Sequence, residues 1–169
     1  MPHTQTEEDL IFDFDYAFNK PNTRFETKYL RDKTSIRPVD FLLELDDRYR
    51  FIEIKDPDCP NPVNPEKFEQ DMASGEIIED LSRKFRDSYF FFSLQSKPRK
   101  EVEYVVLISW SKMDSAAMLS RTDLLRRTIP WTNGSFQNSP LVHCIVMNME
   151  AWKEKFGDGS VWRVSEFES

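Results

Sequence analysis

The stretch from Arg37 to Asp58 restricts what this chain can fold into more than any other. Two apolar-rich runs, Val39–Leu45 and Phe51–Lys55, flank a short polar turn at Asp46–Tyr49, which is the pattern of a β-hairpin. With a period of two, Phe41, Leu43 and Leu45 share one face of the first strand, and Asp40, Leu42 and Glu44 share the other. In the second strand Ile52 and Ile54 point one way, while Phe51, Glu53 and Lys55 point the other. An antiparallel return sets the start of the first strand beside the end of the second. Asp40, Glu53 and Lys55 are therefore predicted to converge on an otherwise apolar hairpin.

Two carboxylates at one point repel each other, and both stay ionised only with a cation between them. Mg²⁺ suits that position, since it takes a few carboxylates together with waters and phosphate oxygens, and Mn²⁺ can substitute for it. Lys55 leaves the same face. Its ammonium can orient or help deprotonate an attacking water and offset charge building on a phosphate. The three groups form a set for metal-assisted phosphodiester hydrolysis.

On these residues, Pro38-Val39-Asp40 followed by Glu53-Ile54-Lys55, the chain resembles the PD-(D/E)xK nuclease superfamily, whose fold is restriction-endonuclease-like. A second match lies downstream, where Glu76–Ser88 looks like the helix that follows the hairpin in some members. The resemblance spans residues 10 to 110 and implies a Mg²⁺-dependent phosphodiesterase acting on nucleic acid, DNA in particular, as an endonuclease. It implies that Asp40, Glu53 and the Ile54 backbone carbonyl hold the metal and that Lys55 positions and activates the water. One further acid commonly comes from upstream of the hairpin; Glu26 is the candidate by position, with Glu7, Glu8, Asp13 and Asp15 competing. The helix after the hairpin packs beside the active site in this fold, which makes Lys84 and Arg86 candidates for phosphate contacts. Spacing alone reads them as an ordinary charged face with pairs such as Asp80–Lys84 and Arg83–Asp87. A homodimer or a companion subunit is the expected protein partner, and defence or repair is the compatible setting. The alternative is a catalytically silent subunit that keeps the fold as a protein- or nucleic-acid-binding module.

At 169 residues, with 39% apolar and 14% aromatic side chains, the chain reads as a single domain over residues 1–169 with a substantial core. A net charge of −7 argues against gripping nucleic acid by bulk charge alone. The N-terminus is polar and acidic and no apolar run exceeds strand length, so neither a secretory leader nor a membrane span is expected. Cys59 and Cys144 stand in no motif and read as reduced thiols of a cytoplasmic protein. With two Cys and two His in no spaced motif, a four-ligand zinc site is not expected.

In chain order, residues 1–9 are expected to fray, and Leu10–Phe18 to form a strand on the alternation of Phe12, Phe14, Tyr16 and Phe18. Asn19–Asn22 has turn chemistry. After the hairpin the prolines of Asp56–Pro65 end the sheet ladder. Asn64 and Pro65 then start a helix, interrupted at Ser74-Gly75, that runs to Phe92 with Ile78, Leu81, Phe85, Tyr89 and Phe92 inward. Lys97–Lys100 is a basic loop. Val102–Trp110 is apolar on both faces and reads as a central strand. A helix at Asp114–Arg127, a polar loop at Ile129–Pro140, a buried strand at Leu141–Met147 with His143 as a packed core residue, a helix at Met149–Phe156 and a closing strand at Val161–Val164 complete the chain. The expected architecture is α/β, a mixed central sheet flanked by helices on both faces.

Overall fold

The computed structural model describes residues 4–18, 23–25, 35–129 and 141–166. Glu26, the turn at Asn19–Asn22 and the loop from Pro130 to Pro140 lie outside them. The protein is α/β. Its larger sheet has five strands in the order β3 (Thr23–Phe25), β4 (Phe41–Glu44), β5 (Arg48–Lys55), β6 (Glu101–Ile108) and β7 (Leu141–Met147). β4 pairs antiparallel with both β3 and β5, and β5, β6 and β7 run parallel.

The predicted hairpin is β4–β5, with Phe41 opposite Ile52 and Glu44 opposite Tyr49. Its alternation fills two cores. Leu42, Tyr49 and Phe51 join Tyr104 and Val106 on one face; Leu43, Ile52 and Ile54 join Val105 and Leu107 on the other. The first face is covered by α2 (Pro65–Ser74), α3 (Glu76–Ser93) and α4 (Ser115–Thr128), through Met72, Ile78, Leu81, Phe85 and Leu125. Asn64 caps α2 by accepting the Lys67 N–H at 3.2 Å. Gly75 sits at φ 86° between α2 and α3, a left-handed conformation that breaks the helix where the sequence predicted and favours glycine. Phe85 anchors α3 between Phe51 (5.5 Å between ring centroids) and Tyr104 (4.9 Å).

The second face departs from expectation. Residues 4–9 are folded, not frayed: β1 (Thr4–Glu7) turns through Glu8 and Asp9 into β2 (Leu10–Asp13), and β8 (Val161–Arg163) completes a separate antiparallel sheet. The strand expected over Leu10–Phe18 stops at Asp13. Its carboxylate accepts the Tyr16 N–H at 2.9 Å, which caps a short helix α1 (Phe14–Phe18) and leaves Tyr16 exposed despite the aromatic alternation. Leu10, Phe12, Phe14 and Val161 pack with Trp152 and Phe156 of α5 (Met149–Phe156) against the larger sheet.

β6 is central and buried on both faces, as predicted. β7 is outermost among the described strands, and its outer edge is blunted by α4: Arg126 donates to the Cys144 carbonyl (3.0 Å), and the Val146 N–H donates to Thr122 Oγ1 (2.9 Å). His143 is exposed, not a core residue; the packing around α5 takes in Ile145 and Met147 and stops before it. No helix among the described residues is long and apolar enough to cross a membrane.

Arg163 fastens the smaller sheet to the larger. It grips both oxygens of Asp56 (2.9 and 2.8 Å), Ser109 Oγ (2.6 Å) and Asp9 (3.3 Å), and the Asp56 side chain is wholly buried. Arg163→Ala leaves that carboxylate without its cation, so a loss of about 3 kcal/mol is expected in urea unfolding at pH 7. Arg127→Ala, which removes an exposed pair with Asp123, should change stability by less than about 1 kcal/mol.

Candidate metal and phosphodiester site

β4 starts at Phe41, opposite Ile52, whereas β5 continues to Lys55 and stays paired with β6 as far as Ile108. Glu53, Ile54 and Lys55 therefore overhang β4. Asp40, the residue before β4, fills the gap: its Oδ2 accepts the Ile54 N–H at 2.8 Å. The N–H and C=O of one strand residue leave on the same edge, so the Ile54 carbonyl also faces the Asp40 side. Helix α3 sets the approach to Asp40, because the Val39 N–H donates to Ser88 Oγ (2.8 Å) and the Arg37 N–H to Asp87 (3.0 Å).

Glu53 is wholly buried. Its Oε1 accepts from the Lys84 ammonium and lies 3.1 Å from Lys55 Nζ. Its Oε2 is buried with no hydrogen-bond partner. Burial, and after it the charge of Asp40, push the Glu53 carboxyl up to about 7 against the pull of both lysines. Burial by itself would lower the Lys55 ammonium, but Glu53 and Asp80 outweigh it and hold Lys55 above its ordinary value. Lys55 is thus a fixed cation at neutral pH, fit to orient a water and neutralise charge rather than to take up a proton. Asp80 completes the network, 3.5 Å from Lys55 and 3.7 Å from Arg37.

The structure therefore brings together Asp40, Glu53, Lys55 and Lys84. The Asp80–Lys84 and Arg83–Asp87 pairs suggested by helical spacing give way to longer-range partners: Lys84 goes to Glu53, Asp80 to Lys55 and Arg37, and Asp87 to the Arg37 backbone. Arg86, two residues on from Lys84 and so roughly 200° around the helix, is exposed and points away from Glu53. Asp80 carries no motif of its own, and only the fold reveals its place.

Of the acids competing with Glu26, Glu8 is the one that arrives. It holds φ 55° in the β1–β2 turn, and its Oε2 accepts the Asp56 N–H at 2.9 Å. Burial, and with it the charge of Asp56, raise its carboxyl. Glu8 and Lys55 line a cleft of about 340 Å³ together with Cys59, Pro62 and Phe68 from the proline-rich loop and α2.

No three His, Cys, Asp or Glu side chains among the described residues form a ready metal-binding group. The donors at the overhang are all oxygen: Asp40, Glu53 with its unpartnered Oε2, and the Ile54 carbonyl. That set fits Mg²⁺ or Mn²⁺, which keep several waters and need only one or two carboxylates, and does not fit zinc. Comparison of the chain with protein-family models, curated proteins and solved structures gives no match.

The raised Glu53 carboxyl makes a pH prediction. Between about pH 4.5 and 7 the folded protein keeps a proton on Glu53 that the unfolded chain has lost, so stability should fall as pH rises through that window. Urea unfolding across the window should show this decline in the metal-free protein and a flatter profile in Glu53→Gln, with Glu8 supplying a remainder. An unchanged slope in Glu53→Gln would show that the carboxyl is already ionised there.

Proposed function

We propose that the chain is a Mg²⁺-dependent nuclease of the restriction-endonuclease-like type, hydrolysing phosphodiester bonds of DNA as an endonuclease. The observation that carries this reading is Glu53: a carboxylate on a strand buried on both faces, with one oxygen lacking any donor, beside Asp40 at an open strand edge. A side chain in that position adds nothing to packing that a leucine would not. Asp40, Glu53 and the Ile54 carbonyl would hold the metal, with Glu8 as the additional upstream acid. Bound there, Mg²⁺ supplies charge stabilisation of a phosphate oxygen and a more acidic water.

The chain's own residues do the rest. Lys55, protonated, can donate to a water oxygen and fix its approach while offsetting charge on the phosphate. Lys84 stands a second cation on the same carboxylate and is within reach of the same phosphate. Asp40 holds the Ile54 N–H, and the Ile54 carbonyl leaves on the same edge of β5. Both cysteines are free thiols, in keeping with a cytoplasmic setting. The acidic net charge favours weak activity for the isolated chain and a second copy or companion subunit for target capture.

One observation favours the other reading, a binding subunit without activity. Glu53 Oε1 already has both lysines, so the network is electrostatically compensated without a metal. The two readings separate on incubation of plasmid and single-stranded DNA with Mg²⁺ or Mn²⁺. Cleavage that is abolished by chelation, and reduced at least about 10²-fold in Asp40→Ala and in Lys55→Ala, supports the nuclease. Absence of cutting by every form with either metal supports the binding subunit.

A further inference from the structure

The cleft lined by Lys55 and Glu8 lies at the carboxyl end of β5, the end at which open α/β sheets present their ligand sites. Its apolar wall comes from the loop after β5 and the start of α2: Pro57, Pro62, Val63, Pro65 and Phe68. That loop is tied down along its length. Arg163 holds Asp56, the Cys59 N–H donates to the Asp56 carbonyl (3.2 Å), the Ser111 N–H donates to Asp58 (2.5 Å), and Asn64 caps α2. Pro57, Pro60, Pro62 and Pro65 fix φ at four positions, so little ordering is left for a ligand to impose. Phe68 is half-buried and held edge-on by Trp110, with 5.5 Å between ring centroids, whereas Val63 is 97% exposed.

We propose that this cleft is the subsite for one unstacked nucleobase of the strand being cut, next to the phosphate held at Lys55. What the cleft serves rests on the nuclease reading; the cleft itself rests on shape and chemistry. A volume of about 340 Å³ is at the small end of ligand pockets and takes one nucleoside, with no room for a duplex. Apart from Lys55 the described lining has no cation: its other charged members are Glu8 and Asp56, and Asp56 is already held by Arg163. A phosphate is therefore refused by the cleft and kept at Lys55, while an uncharged ring is admitted to the wall of prolines and Phe68. Asn61, exposed beside them, offers both a donor and an acceptor to the edge of a base. The cleft also adjoins the cation site. Lys55 belongs to both, and besides burial and Asp56 the charges of Lys55 and Asp40 act on the Glu8 carboxyl. A base enters such a cleft only out of its stack, so the substrate is single-stranded or carries a flipped nucleotide at the cut. An apolar side chain of a protein partner would fill the wall but make no use of Lys55, whereas a nucleotide uses both.

The test is NMR titration of the ¹⁵N-labelled full chain in EDTA. The probes are the four 2′-deoxynucleoside 5′-monophosphates, the matching ribonucleotides, and deoxyribose 5-phosphate, which carries the charge without the base. Nucleotides are expected to shift the amides of Cys59, Asn61, Val63 and Phe68, and to saturate at about ten-fold lower concentration than the sugar phosphate. The tighter of the deoxy and ribo series identifies the source of the base. Phe68→Ala should weaken nucleotide binding about five-fold or more and leave sugar phosphate binding unchanged, with unchanged thermal unfolding as the control for folding. Because Phe68 also packs on Trp110, Val63→Ser is the second variant. The Val63 side chain stands in solvent, so the fold is unaffected, and losing one methyl contact to the base should weaken nucleotide binding about three-fold. Four results each overturn the proposal: equal affinity for nucleotides and sugar phosphate, shifts confined to other residues, wild-type binding by Val63→Ser or by a folded Phe68→Ala, or no saturable shift at about 10 mM. Nucleotide binding as predicted without cleavage of DNA under any metal would retain the cleft and reject the nuclease. Cleavage together with any of those four results would retain the nuclease and reject the cleft.

Discussion

The structure turns on a carboxylate in the wrong place for stability. Glu53 lies in β5, a strand packed against helices on one face and against α5 and the smaller sheet on the other. An uncompensated charge there costs several kcal/mol, more than an exposed ion pair returns. Lys55 on the same strand and Lys84 from α3 supply the compensation, and Asp80 in turn balances Lys55. Each requirement constrains the fold around it. α3 must approach closely enough for Lys84 to reach the strand, which the Phe51–Phe85–Tyr104 packing secures, and β4 must start late enough to leave the overhang that Asp40 fills. A buried polar network of this kind violates the economy of an apolar core, and such violations concentrate where chemistry is done.

The smaller sheet has a part in the same arrangement. It covers the second core and carries Glu8 to the end of β5, where its carboxylate accepts the Asp56 N–H. Arg163 ties β8 to Asp56, the residue immediately after Lys55, and to Asp9, the residue immediately after Glu8. The Val164 N–H donates to the Asp9 carbonyl at 2.8 Å in support. A single arginine near the C-terminal end thus registers two acidic positions that lie more than forty residues apart in the chain.

The hairpin was legible because its information is local: a period of two in two short runs placed Leu42 and Phe51 on one face, Leu43 and Ile52 on the other, and Asp40 beside Glu53. The stop at Gly75, the cap at Asn64 and the central β6 were legible for the same reason. What escaped was set by contacts across the chain. The β1–β2–β8 sheet joins both ends of the sequence, so residues 4–9 looked unstructured and Glu8 was only one of several upstream acids. Asp13 chose a cap over continuing the strand, which no alternation of aromatics could reveal. His143 sat in an apolar run yet is exposed, since strand composition does not say how far a covering helix extends. The place of Lys84 followed from resemblance alone; helical spacing pointed to Asp80, and the buried carboxylate of Glu53 proved the stronger attraction.

The central claim is that the Asp40–Glu53 overhang is built for a divalent cation. The most direct measurement is a crystal structure after soaking with Mn²⁺, read by anomalous scattering. One peak or more is expected at about 2.2 Å from oxygens of both Asp40 and Glu53, with the Ile54 carbonyl turned towards it. A map with no peak there, and Glu53 still held by Lys55 and Lys84, would show that the network is complete without a metal and contradict the claim.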